Sequence, residues 1–405
     1  MRIYLSLFFV TLFFTNCSEF LTQMVAENDT LDGHIEGLSS SQLQIFLAGD
    51  EAFSKVFTPE TGLGPFFVTS SCNTCHPGDG KGHPSNSLTR FGKLEGNTFD
   101  HLLLQGGPQL QHRALPGLAS EIIPLEANGI SQFVAPAVTG LGFLEAVTDA
   151  DILEMADPLD LDGDGISGVP NYLVPPEYFS AKPYHIPDGE GRYIGRFGKK
   201  AGAINLLIQT VGAYNQDMGI TSEFELEDPI NYSISDMDID GIENPELPTS
   251  ELNQVVFYLQ TLKAPLRRDA ESENVLQGEQ VFAEIGCESC HRSSLQTGDH
   301  IVDPLSNQTF HPYTDLLMHD MGPALDDNYT EGTALTSEWK TPALWGLGLS
   351  KDAQGGQYFL MHDGRANSIE KAIEFHGGEA QNSASNFDQL SSTDKDNLIA
   401  FLESL

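Results

Sequence analysis

The sequence predicts an all-α chain of two similar domains, residues 39–264 and 265–405, with a large loop-rich insert in the first domain. A closing helix is predicted twice, from Thr249 to Leu262 and from Ser392 to Leu405. Both segments have helical apolar spacing and a polar cap residue ahead of them. The 405 residues are enough for two cores. A Pro-containing connection after the first closing helix marks the predicted domain boundary.

The first residues are typical of an export signal. Arg2 supplies a positive charge, and the apolar stretch at residues 3–14 is too short to span a membrane comfortably. Cys17 follows, as in a bacterial lipoprotein processing site, where the cysteine becomes the lipidated first residue. Residues 1–17 are therefore predicted to be a signal or lipoprotein peptide, and residues 18–38 a polar tether. Alternatively, Cys17 is removed with a secretory peptide. Both readings place the chain on the periplasmic side of a Gram-negative envelope.

A first helix is predicted near the start of each domain. Ser39 is an N-cap candidate for a helix that carries Gly49 and Phe53, and a second helix carries Gly278 and Phe282. In each helix the glycine permits a close crossing with the closing helix, and the phenylalanine four positions later fills that crossing. Chance explains one similar pair of helices, but not all of the parts in the same order.

The strongest signal is a motif that occurs once in each domain, Cys72-Asn73-Thr74-Cys75-His76 and Cys287-Glu288-Ser289-Cys290-His291. Two thiols three positions apart each form a thioether to a haem vinyl group, and the histidine that follows is the proximal ligand of the iron. The motifs therefore predict two covalently bound c-type haems, with His76 and His291 on the irons. Both domains are accordingly predicted to be of cytochrome c type.

Other uses of these cysteines fit less well. Structural zinc sites do not require a histidine directly after each cysteine pair. Redox-active C-x-x-C disulfides lie near a βαβ pattern, and none surrounds these motifs.

The acidic composition limits the partners. A net charge of −38 excludes nucleic acid as a partner, because phosphate binding needs clustered Lys and Arg. It also argues against docking on anionic lipid headgroups, so that membrane contact would come only through Cys17. An acidic surface favours a basic electron-transfer partner through long-range steering, although plain solubility explains the charge equally well.

Two short acidic runs in the insert have the D-x-D-x-D-G start of a calcium loop. The first contains Asp160, Asp162 and Asp164, and the second begins at Asp236. Neither run has a glutamate at the twelfth position. Calcium at the first run is therefore one hypothesis, and an Asx-rich surface turn is the alternative.

The second axial position of each iron separates electron transfer from catalysis, because a haem left open can bind peroxide. In the C-terminal domain the candidate ligands are Met318, His319, Met321, Met361, His362 and His376. Met-His-Asp occurs twice among them, which also fits structural networks. In the N-terminal domain Met218 is the best thioether candidate, at the end of a long apolar helix predicted from about Gly198.

Three further features suggest roles near the haems. Glu145 is an acid inside an apolar run, where burial would raise its pKa and suit it to acid/base catalysis. A helix N-terminal carboxylate is the alternative. Trp345 is a candidate relay between the haems or a core residue. The one basic cluster is predicted to pair with haem propionates and consists of Arg192, Arg196, Lys199 and Lys200.

Several runs resemble the bacterial di-haem oxidoreductase family over about residues 40–405. The resemblance implies a two-haem enzyme with peroxidase or thiol oxidoreductase activity. The runs that carry it are residues 140–145, 162–168, 195–198, 217–221, 317–323, 338–349 and 362–365.

The C-terminal half is also similar, more distantly, to bacterial di-haem cytochrome c peroxidases. In those proteins a T-P-x-L run and then an H-D-G run precede the distal ligand of the electron-transfer haem. The corresponding runs here are Thr341-Pro342-Ala343-Leu344 and His362-Asp363-Gly364, so the resemblance implies His376 as that ligand. The chain departs from the pattern ahead of its A-P-x-V run at residues 135–138, where the expected nearby histidine is missing. This departure favours Glu145 or Met218 above the N-terminal haem.

These observations together predict an exported di-haem oxidoreductase, with the peroxidase activity implied by the resemblance. The C-terminal haem would relay electrons to the N-terminal haem, which would meet a peroxide-like oxidant or a redox protein. The alternative is a non-catalytic periplasmic electron-transfer cytochrome with both irons six-coordinate. Thiol oxidation is a third hypothesis, but no free cysteine remains in the mature chain beyond a lipidated Cys17.

Overall fold

A computed structural model describes residues 30–96, 98–232 and 241–405. The predicted signal or lipoprotein peptide with Cys17, the tether up to residue 29 and the aspartates of the second acidic run lie outside these residues. Within the described ranges, no helix is both long enough and apolar enough to cross a membrane.

The elements alternate between helices and short strands. The helices of the described chain are α1 (Ser40–Ser54), α2 (Cys72–Cys75), α3 (Leu141–Glu145), α4 (Asp149–Met155), α5 (Leu206–Gly212), α6 (Thr249–Thr261), α7 (Glu273–Glu284), α8 (Ser350–Ala353), α9 (Ile369–Glu374), α10 (Gln381–Gln389) and α11 (Ser392–Ser404). The strands are β1 (Phe66–Phe67), β2 (Leu88–Glu95), β3 (Thr98–Asp100), β4 (Arg113–Ala114), β5 (Gly129–Phe133), β6 (Tyr172–Leu173), β7 (Tyr193–Ile194), β8 (Leu295–Gln296), β9 (Thr309–Phe310), β10 (Met318–Asp320) and β11 (Glu338–Lys340).

The prediction of an all-α fold is wrong, because the chain is mixed α/β, with 33% helix and 12% strand. β2 is the centre of a three-stranded antiparallel sheet ordered β3-β2-β5. The remaining strands form two-stranded antiparallel ladders, β1 with β4, β6 with β7, β8 with β9 and β10 with β11. Most strands have two or three residues, which is shorter than the windows in which periodicity can be recognised.

The burial pattern of β5 gives a second reason why the sequence does not predict the strands. Its burial alternates, but Ser131 is buried while its neighbour Ile130 is 42% exposed. The Ser131 hydroxyl donates to Asp327 Oδ2 at 2.6 Å, so a polar side chain lies on the inner face. Hydrophobic alternation therefore could not identify this strand.

Each haem-type motif lies beside a pair of crossed helices, α1 with α6 and α7 with α11. A Cβ atom on Gly49 would lie 2.2 Å from the Gln254 carbonyl oxygen. A Cβ atom on Gly278 would lie 2.0 Å from the Asn397 carbonyl oxygen. Both distances are shorter than van der Waals contact, so the two crossings require glycine. The predicted closing helices end within one residue of the observed ones.

The phenylalanine of each first helix fills its crossing, as the repeated spacing predicts. The ring centroids of Phe53 and Tyr258 are 5.4 Å apart, and those of Phe282 and Phe401 are 5.2 Å apart. The same phenylalanines approach the histidine of their own motif, with centroid distances of 6.1 and 6.3 Å. The packing that closes each helix pair therefore also positions the motif histidine.

The start of α1 is fixed by the predicted cap. The Ser39 side chain accepts from the Gln42 backbone N–H, and the Gln42 side chain accepts from the Ser39 backbone N–H. The last part of the predicted tether belongs to the fold, because Ile35 is 5% exposed and its N–H donates to the Thr261 carbonyl at 2.8 Å.

α5 is shorter than the helix predicted from about Gly198. Gly198 and Ala201 have φ angles of +85° and +50°, so the chain turns there and cannot be helical. α5 begins after Asn205, whose side chain accepts from the Ile208 N–H at 2.9 Å. A π-helical turn, Ala213–Asp217, follows α5 and leads to Met218.

The core of the N-terminal half extends into the C-terminal half. The large N-terminal cluster includes side chains from α1, α5 and α6. A second cluster is formed mainly by α7, α9 and α11. Five residues of the C-terminal half belong to the first cluster: Leu295, Phe310, Leu316, Leu317 and Trp345. The domain boundary at residues 264 and 265 therefore stays a prediction.

We expect G278A to lower the free energy of unfolding by about 1–3 kcal/mol, because the new methyl group overlaps the Asn397 carbonyl. G212A is the matched control, since a Cβ atom at Gly212 meets nothing within 4 Å. That exchange should raise the free energy of unfolding by roughly 0.5–1 kcal/mol. Urea unfolding of the haem-loaded protein measures both, and a G278A midpoint equal to that of the wild type would contradict the close crossing.

Candidate functional site

Each motif histidine is held by one backbone carbonyl. His76 Nδ1 donates to the Pro136 oxygen at 2.8 Å, and His291 Nδ1 donates to the Tyr313 oxygen at 2.9 Å. A carbonyl only accepts, so Nδ1 carries the proton and Nε2 keeps its lone pair. Burial lowers the pKa of both rings to about 4, so both are neutral at pH 7. This is the form in which a histidine binds haem iron, with its second nitrogen oriented by a backbone acceptor.

The motif cysteines are arranged for attachment to one group in each site. One helical turn spans each motif, since the His76 N–H donates to Cys72 and the His291 N–H to Cys287. Cysteines three positions apart therefore lie on one side of the turn. The four thiols are free. Burial raises the pKa of Cys72, Cys75 and Cys287 to about 12, so these thiols are protonated at pH 7. The donor set of both motifs fits a c-type haem.

His376 lies near His291, as the resemblance implies. Its Nδ1 donates to the Ala372 carbonyl at 2.7 Å, and it is close enough for its charge to lower the pKa of His291. Burial lowers the pKa of His376 itself. The site therefore holds two neutral imidazoles, each oriented through Nδ1. Gly378, two positions later, lets two backbone segments pack closely, because a Cβ atom on it would lie 2.0 Å from the Asp320 carbonyl oxygen.

His319 is held between two carboxylates. Its Nε2 is 2.8 Å from Asp315 Oδ2, its Nδ1 is 2.8 Å from Glu379 Oε2, and Nδ1 is also 3.6 Å from the Cys290 sulfur. Burial alone would lower the pKa of His319, but hydrogen bonds to Asp315, Cys290 and Glu379 raise it to about 12. Ser167 of the insert donates to Glu379 at 2.5 Å. His319 is thus a fixed imidazolium beside the second motif.

The second Met-His-Asp run also forms a structural network. His362 Nε2 is 2.9 Å from Asp327 Oδ2, and its ring stacks on Trp339 with centroids 3.7 Å apart. Lys200 Nζ lies 3.8 Å from the centroid of the Trp339 ring. The expectation that both runs form networks therefore agrees with the structure.

In the N-terminal half, Met218 is 1% exposed and packs in the large core cluster. The carbonyl of Asp217, the residue before it, accepts from the Val68 and Thr69 N–H groups, just ahead of the first motif. Burial raises the pKa of Asp217. The fold therefore brings the Met218 segment to the first motif, and Met218 as an iron ligand stays a prediction.

Glu145 is buried but does not have the raised pKa expected from the sequence. Its carboxylate accepts from the Leu206 N–H at 2.7 Å and from Gln260 Nε2 at 2.6 Å, and it lies 3.6 Å from His300 Nε2. Burial raises the pKa of Glu145, but hydrogen bonds from His300, Leu206 and Gln260 outweigh burial and lower it. Since Leu206 is the first residue of α5, this geometry favours the helix-terminal alternative.

Most of the predicted propionate cluster is already paired. Arg196 is buried and donates to Asp149 Oδ1 at 2.6 Å, and its role as a propionate partner stays a prediction. Arg192 pairs with Asp188 at 2.7 Å, and Lys200 Nζ donates to the Thr336 and Glu338 carbonyls. Lys199 makes no such bond among the described residues.

Two lysines that the sequence did not connect to this cluster lie beside Lys199. The Lys340 N–H donates to the Lys199 carbonyl at 3.2 Å. Burial lowers the pKa of Lys199, and the charges of Lys81 and Lys340 lower it further. Lys199 in turn lowers the pKa of His76. Lys81 lies five positions after His76, and this spacing is the sequence signal that could have connected it with the first motif. Lys340 comes from the other half of the chain.

The first acidic run gathers a different set of carboxylates from the predicted one. Asp157, Asp160 and Asp162 place oxygen atoms within 4.8 Å of one another. Asp164 lies outside this set and accepts from the Ile166 N–H at 2.8 Å. Asp160 Oδ1 likewise accepts from the Gly165 N–H at 3.1 Å, as expected for the surface-turn alternative. Calcium binding stays a prediction.

Trp345 is 9% exposed and packs over Gly140, where a Cβ atom would lie 2.6 Å from Cζ2 of the indole. This contact joins the two halves and agrees with the core alternative. A relay role for Trp345 stays a prediction.

Comparison with known proteins agrees with the two-site arrangement. A family model described as "Di-haem oxidoreductase, putative peroxidase" matches residues 129–405. The match contains the second motif and begins after the first. No curated protein matches the chain.

Two solved structures match the chain at low sequence identity. One is hydrazine synthase from Kuenenia stuttgartiensis under xenon pressure, 14% identical, covering 95% of this chain and 98% of that chain with a TM-score of 0.37. The other is a MauG-like protein associated with microbial copper homeostasis, 15% identical, covering 66% of this chain and 89% of that chain with a TM-score of 0.33.

We expect E145Q to keep at least about half of the wild-type turnover and to lower the free energy of unfolding by about 1–3 kcal/mol. The amide can accept from only one side, so a buried donor on Leu206 or Gln260 loses its partner. Steady-state turnover and urea unfolding measure the two effects. A loss of turnover of about 100-fold with unchanged stability would instead support the predicted acid/base role of Glu145.

We expect H319Q to remove a pH dependence of stability. The pKa of His319 is raised in the folded protein, so its stabilising charge is fully present below about pH 6.5 and is lost as pH rises toward about 12. At pH 6 the variant should be less stable by about 3–5 kcal/mol, because two carboxylates lose their buried partner. The gap should narrow at pH 9. Urea midpoints at both pH values measure this, with H311Q on the exposed His311 as control. A gap independent of pH would contradict the imidazolium.

Proposed function

Since the chain belongs to the di-haem oxidoreductase family, and is thus an oxidoreductase with haem cofactors, we propose that it is an exported, peroxidase-like c-type cytochrome. Electrons pass from the C-terminal haem to the N-terminal haem. The substrate is a small oxidant of the peroxide type. A basic redox protein is the proposed electron donor, which the net charge of −38 would attract.

The pairing of His291 with His376 carries this proposal. Both rings are neutral, and both donate through Nδ1 to a backbone carbonyl, so each would have Nε2 available to hold the iron of the C-terminal haem. An iron held by both histidines would leave no place for a substrate. A site of this kind suits electron transfer.

The N-terminal site has a different set of neighbours. His76 is oriented by Pro136, and the charged group that acts on it is Lys199 rather than a second imidazole. When bound, the haems supply the one-electron redox chemistry. The chain's own residues fix the His76 ring through the Pro136 carbonyl and place the charge of Lys199 near it. We therefore assign the N-terminal site to the oxidant.

Covalent attachment is supported by the two cysteines that lie one helical turn apart in each motif, directly ahead of the histidine. The proposed covalent bond predicts that haem remains with the chain after denaturation in acid and organic solvent. Mass spectrometry of the denatured chain would test this, and a mass without two haems would contradict it.

Export and anchoring rest on the sequence of residues 1–17. The proposed lipid anchor on Cys17 is tested by fractionating cells that express the wild type and cells that express C17S. A wild type that is fully soluble in the periplasm would contradict the anchor.

Calcium at Asp160, Asp162 and Asp164 is tested by calorimetric titration of calcium into the exported protein. Absence of binding at millimolar calcium would contradict it.

A plain electron-transfer cytochrome is the second candidate function. The observation that favours it is the position of the Met218 segment against the residues before Cys72. If the Met218 sulfur closes the N-terminal haem, both irons are six-coordinate and the chain has no peroxidase activity.

We expect H376A to abolish the low-spin signal of the C-terminal haem in electron paramagnetic resonance, because one of its two ligands is lost. Peroxide turnover with an external electron donor should fall by roughly tenfold or more, since this haem then relays electrons poorly. H311A is the control, because His311 is exposed and its Nδ1 lies 3.0 Å from the Ser293 carbonyl oxygen. Retention of both low-spin signals in H376A would contradict the assignment of His376 as ligand.

A further inference from the structure

His319 links three segments that meet at the second motif. Its side chain is 4% exposed and lies on β10. Nδ1 of the ring is 3.6 Å from the Cys290 sulfur and 2.8 Å from Glu379 Oε2, and Nε2 is 2.8 Å from Asp315 Oδ2. The ring therefore contacts a cysteine of the motif and two carboxylates from outside it.

Asp315 comes from the segment that orients the motif histidine. It follows Tyr313 by two positions, and the Tyr313 carbonyl accepts from His291 Nδ1 at 2.9 Å. Asp315 is 2% exposed, and its other carboxylate oxygen accepts from the Leu317 N–H at 2.9 Å. The bond between Asp315 and His319 thus ties the ring to the backbone that fixes the motif histidine.

Glu379 comes from the segment of the second predicted ligand of this site. It follows His376 by three positions, in a short 3-10 turn. A Cβ atom on Gly378 would lie 2.0 Å from the Asp320 carbonyl oxygen, so this turn packs directly against β10. The bond between Glu379 and His319 adds a charged pair to the same contact.

The insert of the N-terminal half covers the ring. Val169 exchanges two backbone hydrogen bonds with the first residue of β10, at 2.9 and 2.8 Å. The Ser167 hydroxyl donates to Glu379 Oε1 at 2.5 Å. A Cβ atom on Gly168 would lie 3.1 Å from Cε1 of His319, so the insert backbone lies close against the ring. Because the ring is buried, its charge is weakly screened by solvent and salt.

The geometry also fixes the charge of the ring. Both ring nitrogens of His319 lie at hydrogen-bond distance from carboxylate oxygens, and an ionised carboxylate only accepts. Both nitrogens therefore carry protons, and the ring is an imidazolium. Without it, the charges of Asp315 and Glu379 would face the motif uncompensated.

Reduction adds one electron to a haem, so a nearby positive charge favours the reduced form and a negative charge opposes it. A haem attached through the Cys290 sulfur is bonded to an atom that lies 3.6 Å from the imidazolium. We propose that His319 is a positioning residue that raises the reduction potential of the C-terminal haem through its charge beside Cys290. The proposal rests on the covalent haem assigned to this motif, and it deepens the proposed electron relay, because a higher potential lets this haem accept electrons from a donor.

The experiment compares H319Q and E379Q with the wild type, each as the exported, haem-loaded full chain. H362Q is the matched control, because His362 belongs to the other Met-His-Asp run, is equally buried and pairs with Asp327 at 2.9 Å. Spectroelectrochemical titration at pH 7 measures the potential of each haem. The C-terminal haem is identified by the low-spin signal that H376A abolishes.

H319Q should lower the equilibrium constant for reduction of the C-terminal haem by about tenfold or more, and tenfold corresponds to about 59 mV for one electron. E379Q removes a negative charge and should raise the same constant by a comparable factor. The N-terminal haem in both variants, and the C-terminal haem in H362Q, should keep the wild-type potential. Opposite shifts identify charge as the cause, because damage to packing would not follow the sign of the charge removed.

The proposal is overturned if both variants leave the potential of the C-terminal haem as it is in H362Q, or if both shift it in the same direction. If H319Q does not fold, E379Q decides alone, and an unchanged or lowered potential overturns the proposal. A wild type without peroxide turnover would remove the proposed peroxidase function, but opposite shifts would still support the role of His319. A wild type without covalent haem on the second motif would overturn both.

Discussion

The close crossing of a first helix and a closing helix is the interaction on which both haem-type sites depend. Gly49 and Gly278 let the helices approach to a distance at which a methyl group would overlap a carbonyl. The phenylalanine one turn later then packs at the crossing and against the motif histidine. A backbone carbonyl on the other side fixes Nδ1 of that histidine. The orientation of each motif histidine is thus set by helix packing and one hydrogen bond.

The two sites differ in the charges that surround the same scaffold. Near His291 the fold places His376 and the imidazolium of His319. The His319 ring lies between the carboxylates of Asp315 and Glu379, so its charge is paired. Around His76 the charged group that acts on the ring is Lys199, and no second histidine acts on it. A site with two histidines favours electron transfer, and this contrast between the sites supports the division of labour that we propose.

The sequence predicted the features that depend on local spacing. The motifs, the Gly–Phe pairs, the closing helices and the cap at Ser39 follow from residues fewer than about five positions apart, and the structure agrees with them. It did not predict the strands. Strands of two or three residues are too short to show a hydrophobic period, and β5 buries the polar residue Ser131.

The sequence also could not predict which charged side chains pair with each other. Arg196 meets Asp149, and the Lys340 backbone meets that of Lys199, only after distant segments come together. Burial of Glu145 was foreseen, but the three donors that lower its pKa come from other parts of the chain.

Electronic absorption and electron paramagnetic resonance spectra of the exported, haem-loaded protein, recorded before and after addition of peroxide, test the central claim most directly. One low-spin haem with two histidine ligands and one high-spin ferric haem that changes with peroxide are the predicted result. Two low-spin signals that do not respond to peroxide, in both the oxidised and the half-reduced protein, would contradict a peroxidase-like enzyme and identify an electron carrier.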